Sequence, residues 1–81
     1  MDLPRRLAET LRKARLQAGR THAEMARRLG VSRPTYTRLE NGDQNATLRT
    51  LGQLCRALRC EPGDLFKTGR LKVHPRRWSR L

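Results

Sequence analysis

The chain has 81 residues, 36% hydrophobic and 4% aromatic, with 19 Lys and Arg against 7 Asp and Glu and a formal net charge of +12. That length leaves room for one domain with a small core, and so few aromatics suit short Leu- and Ala-rich helices better than a sheet, which calls for aromatic and β-branched side chains. The charge points to a polyanionic partner, nucleic acid or an anionic membrane surface, and exceeds the net charge of about 2–8 that solubility asks of a small domain.

Several function classes fall away. No run of the sequence approaches the ~18 apolar residues of a membrane span, and the first residues lack the apolar stretch of a secretory signal, so no membrane partner is expected and a reducing cytoplasm is the default. Cys55 and Cys60 are too few for a disulfide scaffold or a zinc site and read as small buried apolar groups. The two histidines, His22 and His74, have no matching nucleophile or metal partner, the carboxylates are scattered, and no Gly-rich phosphate loop occurs. No catalytic residue, metal or cofactor is expected.

The first helix is expected from about Pro4 to Ala18. Pro4 suits a first-turn position, where its missing N–H costs nothing. Leu3, Leu7, Leu11, Ala14 and Ala18 keep the helical three-and-four spacing, and Gly19 supplies the stop. Thr21 and Glu24 form a T-x-x-E capping box that opens the second helix. Met25, Ala26 and Leu29 make its apolar stripe, and Gly30 ends it after about two turns.

Ser32 is a good N-cap for a third helix. Pro34 falls in its first turn and should bias Arg33 away from the helical region, fixing how Arg33 projects. Tyr36 and Leu39 are the apolar face, with the Tyr36 hydroxyl expected near the surface. Asn41 and Gly42 end the helix, since both tolerate the left-handed conformation. After a polar loop, Thr47 caps a fourth helix with Leu48, Leu51, Leu54, Cys55 and Leu58 in one stripe. Arg59 and Cys60 turn the chain, and Pro62 opens a last short helix through Phe66. Beyond it the acids stop, and half of the formal charge falls on the last 15 residues, as Lys67, Arg70, Lys72, Arg76, Arg77 and Arg80. The expected organisation is an all-α, compact five-helix domain over residues 1–66 with a basic tail over residues 67–81.

Residues 21–42, THAEMARRLGVSRPTYTRLENG, are two short helices separated by Gly30, Val31 and Ser32. Ala26 is a small residue where the helices cross, Gly30 permits the tight turn, and Val31 packs beneath it. This is the physical recipe of a helix-turn-helix, which presents the outer face of its second helix to a major groove about 12 Å wide.

The chain resembles the phage-repressor and Cro-like (Xre-type) helix-turn-helix proteins over about residues 7–66. The resemblance lies in L-R-x-x-R at Leu11, Arg12 and Arg15, Gly19, T-x-x-E-M-A at residues 21–26, G-V-S-R-x-T-Y-x-R-L-E-N-G at residues 30–42, and L-x-x-L-x-x-L-C-x-A-L at residues 48–58. It implies a repressor-like fold, a double-stranded DNA operator, homodimerisation and a role in transcription, most naturally repression. It departs from the family pattern at His22, where Gln that touches phosphate and props the recognition helix is usual, at Ala46, where Pro is common, and at Arg59, where Gly is common.

Arg33, Pro34, Thr35, Thr37 and Arg38 occupy the exposed early face of the third helix as candidate base readers, and the resemblance implies contacts with base edges at positions 33, 34 and 38. Arginine can clasp guanine O6 and N7 with two hydrogen bonds, and Pro34 or Thr35 can meet a thymine methyl. The alternative for Arg33 and Arg38 is contact with phosphate or solvent only. Thr21, His22, Arg27, Asn41, Gln44, Asn45 and Arg49 lie near helix ends or in the loop, as candidates for phosphate contacts that position without reading sequence. Arg15 and Glu40 resemble the family's ion pair between the first helix and the end of the third.

Two further readings stay open. One is the antitoxin of a toxin–antitoxin pair, with a toxin protein as partner. The other is a non-specific nucleic-acid or RNA binder, which the basic tail favours and the ordered recognition helix opposes. In the tail, Leu71 and Val73 alternate with Arg70, Lys72 and His74 at the period of a strand, and Trp78 suits an interface anchor. Pairing of this segment with a two-fold mate competes with a mobile arm attracted to phosphate, because Pro75 interrupts any strand.

Overall fold

The computed structural model describes residues 2–66. Four α-helices run in order, α1 (Leu3–Ala18), α2 (His22–Leu29), α3 (Arg33–Asn41) and α4 (Leu48–Leu58), and a 3-10 helix over Pro62–Phe66 follows. The last short helix is therefore a tighter 3-10 segment, as expected of a five-residue piece. Among the described residues there is no strand, and no helix is long and apolar enough to cross a membrane. The expected strand of the tail, its pairing, and the anchor role of Trp78 lie outside the described residues.

Each helix starts on a polar side chain that accepts a hydrogen bond from the first turn. Asp2 does this for α1 by accepting from the Arg5 amide, a cap the sequence reading missed, so α1 begins one residue before Pro4. Thr21, Ser32 and Thr47 cap the next three helices. At α2 the capping box is complete: Thr21 Oγ1 accepts from the Glu24 amide at 3.2 Å, and Glu24 Oε1 accepts from the Thr21 amide at 2.9 Å. Those bonds hold the Glu24 carboxyl below its ordinary value, with Arg20 adding to the effect.

Helix ends are as legible as helix starts. Gly30 closes α2 in the left-handed conformation, φ 74°, and the Val31 amide donates back to the Ala26 carbonyl at 3.0 Å. A side chain at Gly30 would be strained by that φ, and the tight connection to α3 depends on it. Gly42 ends α3 at φ 75°; an added Cβ would sit in ordinary contact 3.7 Å from the Arg5 backbone, so the left-handed φ rather than space calls for glycine there. Arg59 ends α4 at φ 53°, and among the described residues it is the one non-glycine with positive φ.

The core is a continuous cluster of Leu7, Leu11, Ala14 and Ala18 from α1, Met25, Ala26 and Leu29 from α2, Tyr36 and Leu39 from α3, Leu54 and Leu58 from α4, and Leu65. α1 packs on α3 and on the 3-10 helix, while α2 packs on α3 and α4. Each fully buried large apolar side chain contributes about 1.5–3 kcal/mol relative to exposure, and α3 is thus gripped on one face only.

Several expectations need correction. Leu3 and Leu48 continue their stripes in sequence but are exposed, Leu48 by 87%. Both are first helical residues, whose Cα–Cβ bonds lean back past the N-terminal end of the helix and beyond the packed stripe. Cys55 and Cys60 are half-buried, packed against the core from its edge. Arg33 belongs to α3 despite the proline that follows. Pro34 lies in the first turn, and the turn closes through the Tyr36 amide on the Ser32 carbonyl at 2.9 Å, so the ring displaces no helical hydrogen bond.

Candidate nucleic-acid interface

α3 has two faces. Tyr36, Leu39 and Glu40 point into the protein, and Tyr36 is fully buried. Its hydroxyl, expected near the surface, instead donates to the Leu11 carbonyl at 3.5 Å and lies against Glu40 and Arg15. Burial, with the Glu40 carboxylate beside it, pushes the phenol well above its ordinary range, so it stays protonated. The ring fills space between α1 and α3 that a smaller residue would leave empty.

Arg15 reaches across from α1 to Glu40. Its Nε donates to both carboxylate oxygens, at 3.1 and 3.0 Å, and its Nη2 donates to Oε1 at 2.9 Å. Nη1 donates to the Arg20 carbonyl at 3.3 Å, which also ties down the turn before α2. Burial alone would raise the Glu40 carboxyl, but the hydrogen bonds from Arg15, with the Tyr36 hydroxyl beside the group, outweigh it and hold the group low. The same bonds raise Arg15 against the opposing effect of burial.

His22, the first residue of α2, joins this network. Its ring meets Tyr36 edge-on, with centroids 5.5 Å apart, its Nε2 is 3.5 Å from Glu40 Oε1, and its Nδ1 is 3.2 Å from Thr37 Oγ1. In the neutral ring, a proton on Nε2 faces the carboxylate and leaves Nδ1 to accept from the Thr37 hydroxyl. The departure from Gln at this position thus keeps a link from the start of α2 to the recognition helix.

The outward face of α3 carries Pro34, Thr37, Arg38 and Asn41 at helical spacing, beside Arg33 on one flank and Thr35 on the other. Arg33, Pro34, Arg38 and Asn41 are exposed, and Thr35 and Thr37 are half-buried. Thr35 Oγ1 accepts from Ser32 Oγ at 2.7 Å, so its hydroxyl is part of the cap. Thr21 is exposed at the start of α2 and Arg27 on its outer face; Gln44 is half-buried and Asn45 exposed in the loop after α3, and Arg49 is exposed in the first turn of α4. Among the described residues, no side-chain hydrogen bond or ion pair links Arg27, Asn41, Gln44, Asn45 or Arg49 to the His22–Thr37–Glu40 network. What the structure brings together is the N-terminus of α2 with the middle of α3; the loop residues stand apart from it. The His22 contacts with Glu40 and Tyr36 were missed in the sequence, where only the family's use of that position gave a signal.

A family model described as helix-turn-helix matches residues 11–65. The chain is 33% identical over 55 residues to the antitoxin HipB of Escherichia coli (strain K12), an alignment that covers 68% of this chain and 62% of that protein. It is 38% identical over 45 residues to the uncharacterized HTH-type transcriptional regulator YozG of Bacillus subtilis (strain 168), covering 54% of each. The matched region therefore spans between about half and two thirds of these curated relatives. No solved structure matches the chain.

Proposed function

The chain belongs to the helix-turn-helix family, and on that premise we propose that it binds double-stranded DNA sequence-specifically, with α3 in the major groove, and regulates transcription, acting as a repressor. The observation that carries this reading is the asymmetry of α3. One face is fixed by Tyr36, Leu39 and Glu40, and the other offers Arg33, Pro34, Thr37 and Arg38 on a chain of formal charge +12. Rigid backing allows side chains to discriminate base edges, because a loosely held helix would adapt to any sequence. Arg33 and Arg38 are the guanine readers in this reading, Pro34 and Thr35 meet apolar edges, and Thr37 meets a base edge.

Thr21, His22, Arg27, Asn41, Gln44, Asn45 and Arg49 then serve as the phosphate-contacting set around the recognition helix. Residues 1–66 form the DNA-binding unit, and residues 67–81 add charge and a dimer contact. Two copies on a palindromic operator would set their recognition helices about 34 Å apart. The role needs no catalytic residue, metal or cofactor, and places the protein in the cytoplasm with the DNA.

Salt dependence tests this reading. A dimer neutralising about eight phosphates gives a slope of log affinity against log salt near −7. A slope near −2 contradicts it, since the charge would then be unused on DNA. The likeness to an antitoxin favours a second role, in which the same domain autoregulates its gene while another surface holds a toxin protein. Co-expression with the product of the neighbouring gene, followed by purification of a stable complex, supports that role.

A further inference from the structure

The C-terminal end of α4 places two cysteines at the two ends of one closed turn. Arg59 takes the left-handed conformation, its amide donates to the Cys55 carbonyl, and the Cys60 amide donates to that same carbonyl at 3.0 Å. In this six-residue closure the last residue folds back over the first, and the two side chains characteristically touch. Here both are cysteines, and both border the same recess at the edge of the core. Just beyond, Asp64 Oδ2 accepts from the Glu61 amide at 3.1 Å, so the turn is fixed on both sides. The pair packs on the core from inside, and from outside it lines an open recess of about 300 Å³ with Arg56, Arg59, Glu61 and Asp64.

We propose that Cys55 and Cys60 are a redox modification site, closing to an intramolecular disulfide by exchange with a small disulfide such as oxidised glutathione. A disulfide needs Cα atoms within about 4.4–6.8 Å and side chains that converge; the backbone hydrogen bond between the two residues holds their main chains close, and both side chains line one recess. The Cys55 thiolate attacks one sulfur of the small disulfide, forming a mixed disulfide and expelling one thiolate, which takes up a proton. Cys60 then loses its proton to solvent and attacks the Cys55 sulfur, expelling the second small thiol. Two protein S–H groups and one small disulfide become one protein disulfide and two small thiols, a transfer of two electrons. The order follows from the surroundings of Cys60: burial first, then Cys55, Asp64 and Glu61, push its thiol up to about 12. Conversion of Cys55 to the mixed disulfide removes one of those influences at the moment Cys60 must react.

The test is equilibration of the full chain in glutathione buffers of graded oxidised-to-reduced ratio, folded and in urea, read by mass spectrometry after acid quench. The expected folded product is about 2 Da lighter, with both thiols lost together, and it forms at a ratio about tenfold or more lower than in urea. Cys60→Ser should stop at the glutathionyl adduct, and Cys55→Ser should react more slowly than Cys60→Ser; circular dichroism checks that both variants are folded. Closure no easier in the folded protein than in urea, stable adducts on the native sequence, or disulfide-linked dimers in place of the internal bond would each overturn the proposal.

Discussion

Arg15 and Glu40, 25 residues apart, are joined by three charge-assisted hydrogen bonds between the last turn of α1 and the end of α3. The Glu40 side chain is 4% exposed and that of Arg15 18%. Removing one partner of a buried pair costs about 3–5 kcal/mol because the other charge is left uncompensated. Arg15 retains some access to water, so Glu40→Ala should destabilise the fold by about 3 kcal/mol, at the lower end of that range. Urea unfolding measures this, and a loss below about 1 kcal/mol would mean that the pair behaves as an exposed one.

The same carboxylate governs acid stability. Hydrogen bonds from Arg15, with the Tyr36 hydroxyl close by, overcome burial and hold Glu40 below the ordinary 4.5. A group whose folded value is depressed contributes in full above its unfolded value, and the contribution disappears as pH falls through the folded value. Stability should therefore drop on acidification below about pH 4.5, with Glu24 at the start of α2 adding in the same direction. Comparing urea midpoints at neutral and acid pH, Glu40→Gln should lower the neutral value and shrink the difference. An unchanged difference would assign the acid loss elsewhere.

Arg59 offers a test of backbone strain. An L side chain at φ 53° is disfavoured by about 1–2 kcal/mol, whereas glycine adopts that conformation freely but loses more entropy on folding. Arg59→Gly should therefore stabilise the protein by about 0.5–1 kcal/mol, with a raised thermal midpoint as the readout. A β-branched replacement such as Arg59→Val should do the opposite.

Dimerisation is proposed to depend on residues 67–81. Their removal should leave the helical circular dichroism of residues 1–66 in place and yield a monomer by sedimentation equilibrium. The truncated protein should lose far more affinity for a palindrome than for a half-site. If it stays dimeric, the tail is not the pairing element.

Helix boundaries were legible in the sequence because caps are local chemistry. Thr21, Ser32 and Thr47, with Gly19, Gly30 and Gly42, mark starts and stops within four residues of their own position. The core stripes were legible for the same reason, except at Leu3 and Leu48, where periodicity persists one residue past the packed region. The fate of the Tyr36 hydroxyl was not legible, since it depends on Leu11, Arg15 and Glu40 converging from other parts of the chain. The same holds for His22, whose partners Thr37 and Glu40 lie 15 and 18 residues away in sequence. The exposed residues of α3 were placed by spacing, but spacing carries no information about which base each one meets.

Selection of bound sequences from a random duplex library tests the central claim most directly. The native chain should enrich one consensus, with Arg33→Ala and Arg38→Ala each relaxing a single position and each costing about 1–3 kcal/mol on the selected duplex. Absence of any consensus, or an equal loss on all sequences in both variants, would contradict base reading by α3 and leave only attraction to phosphate.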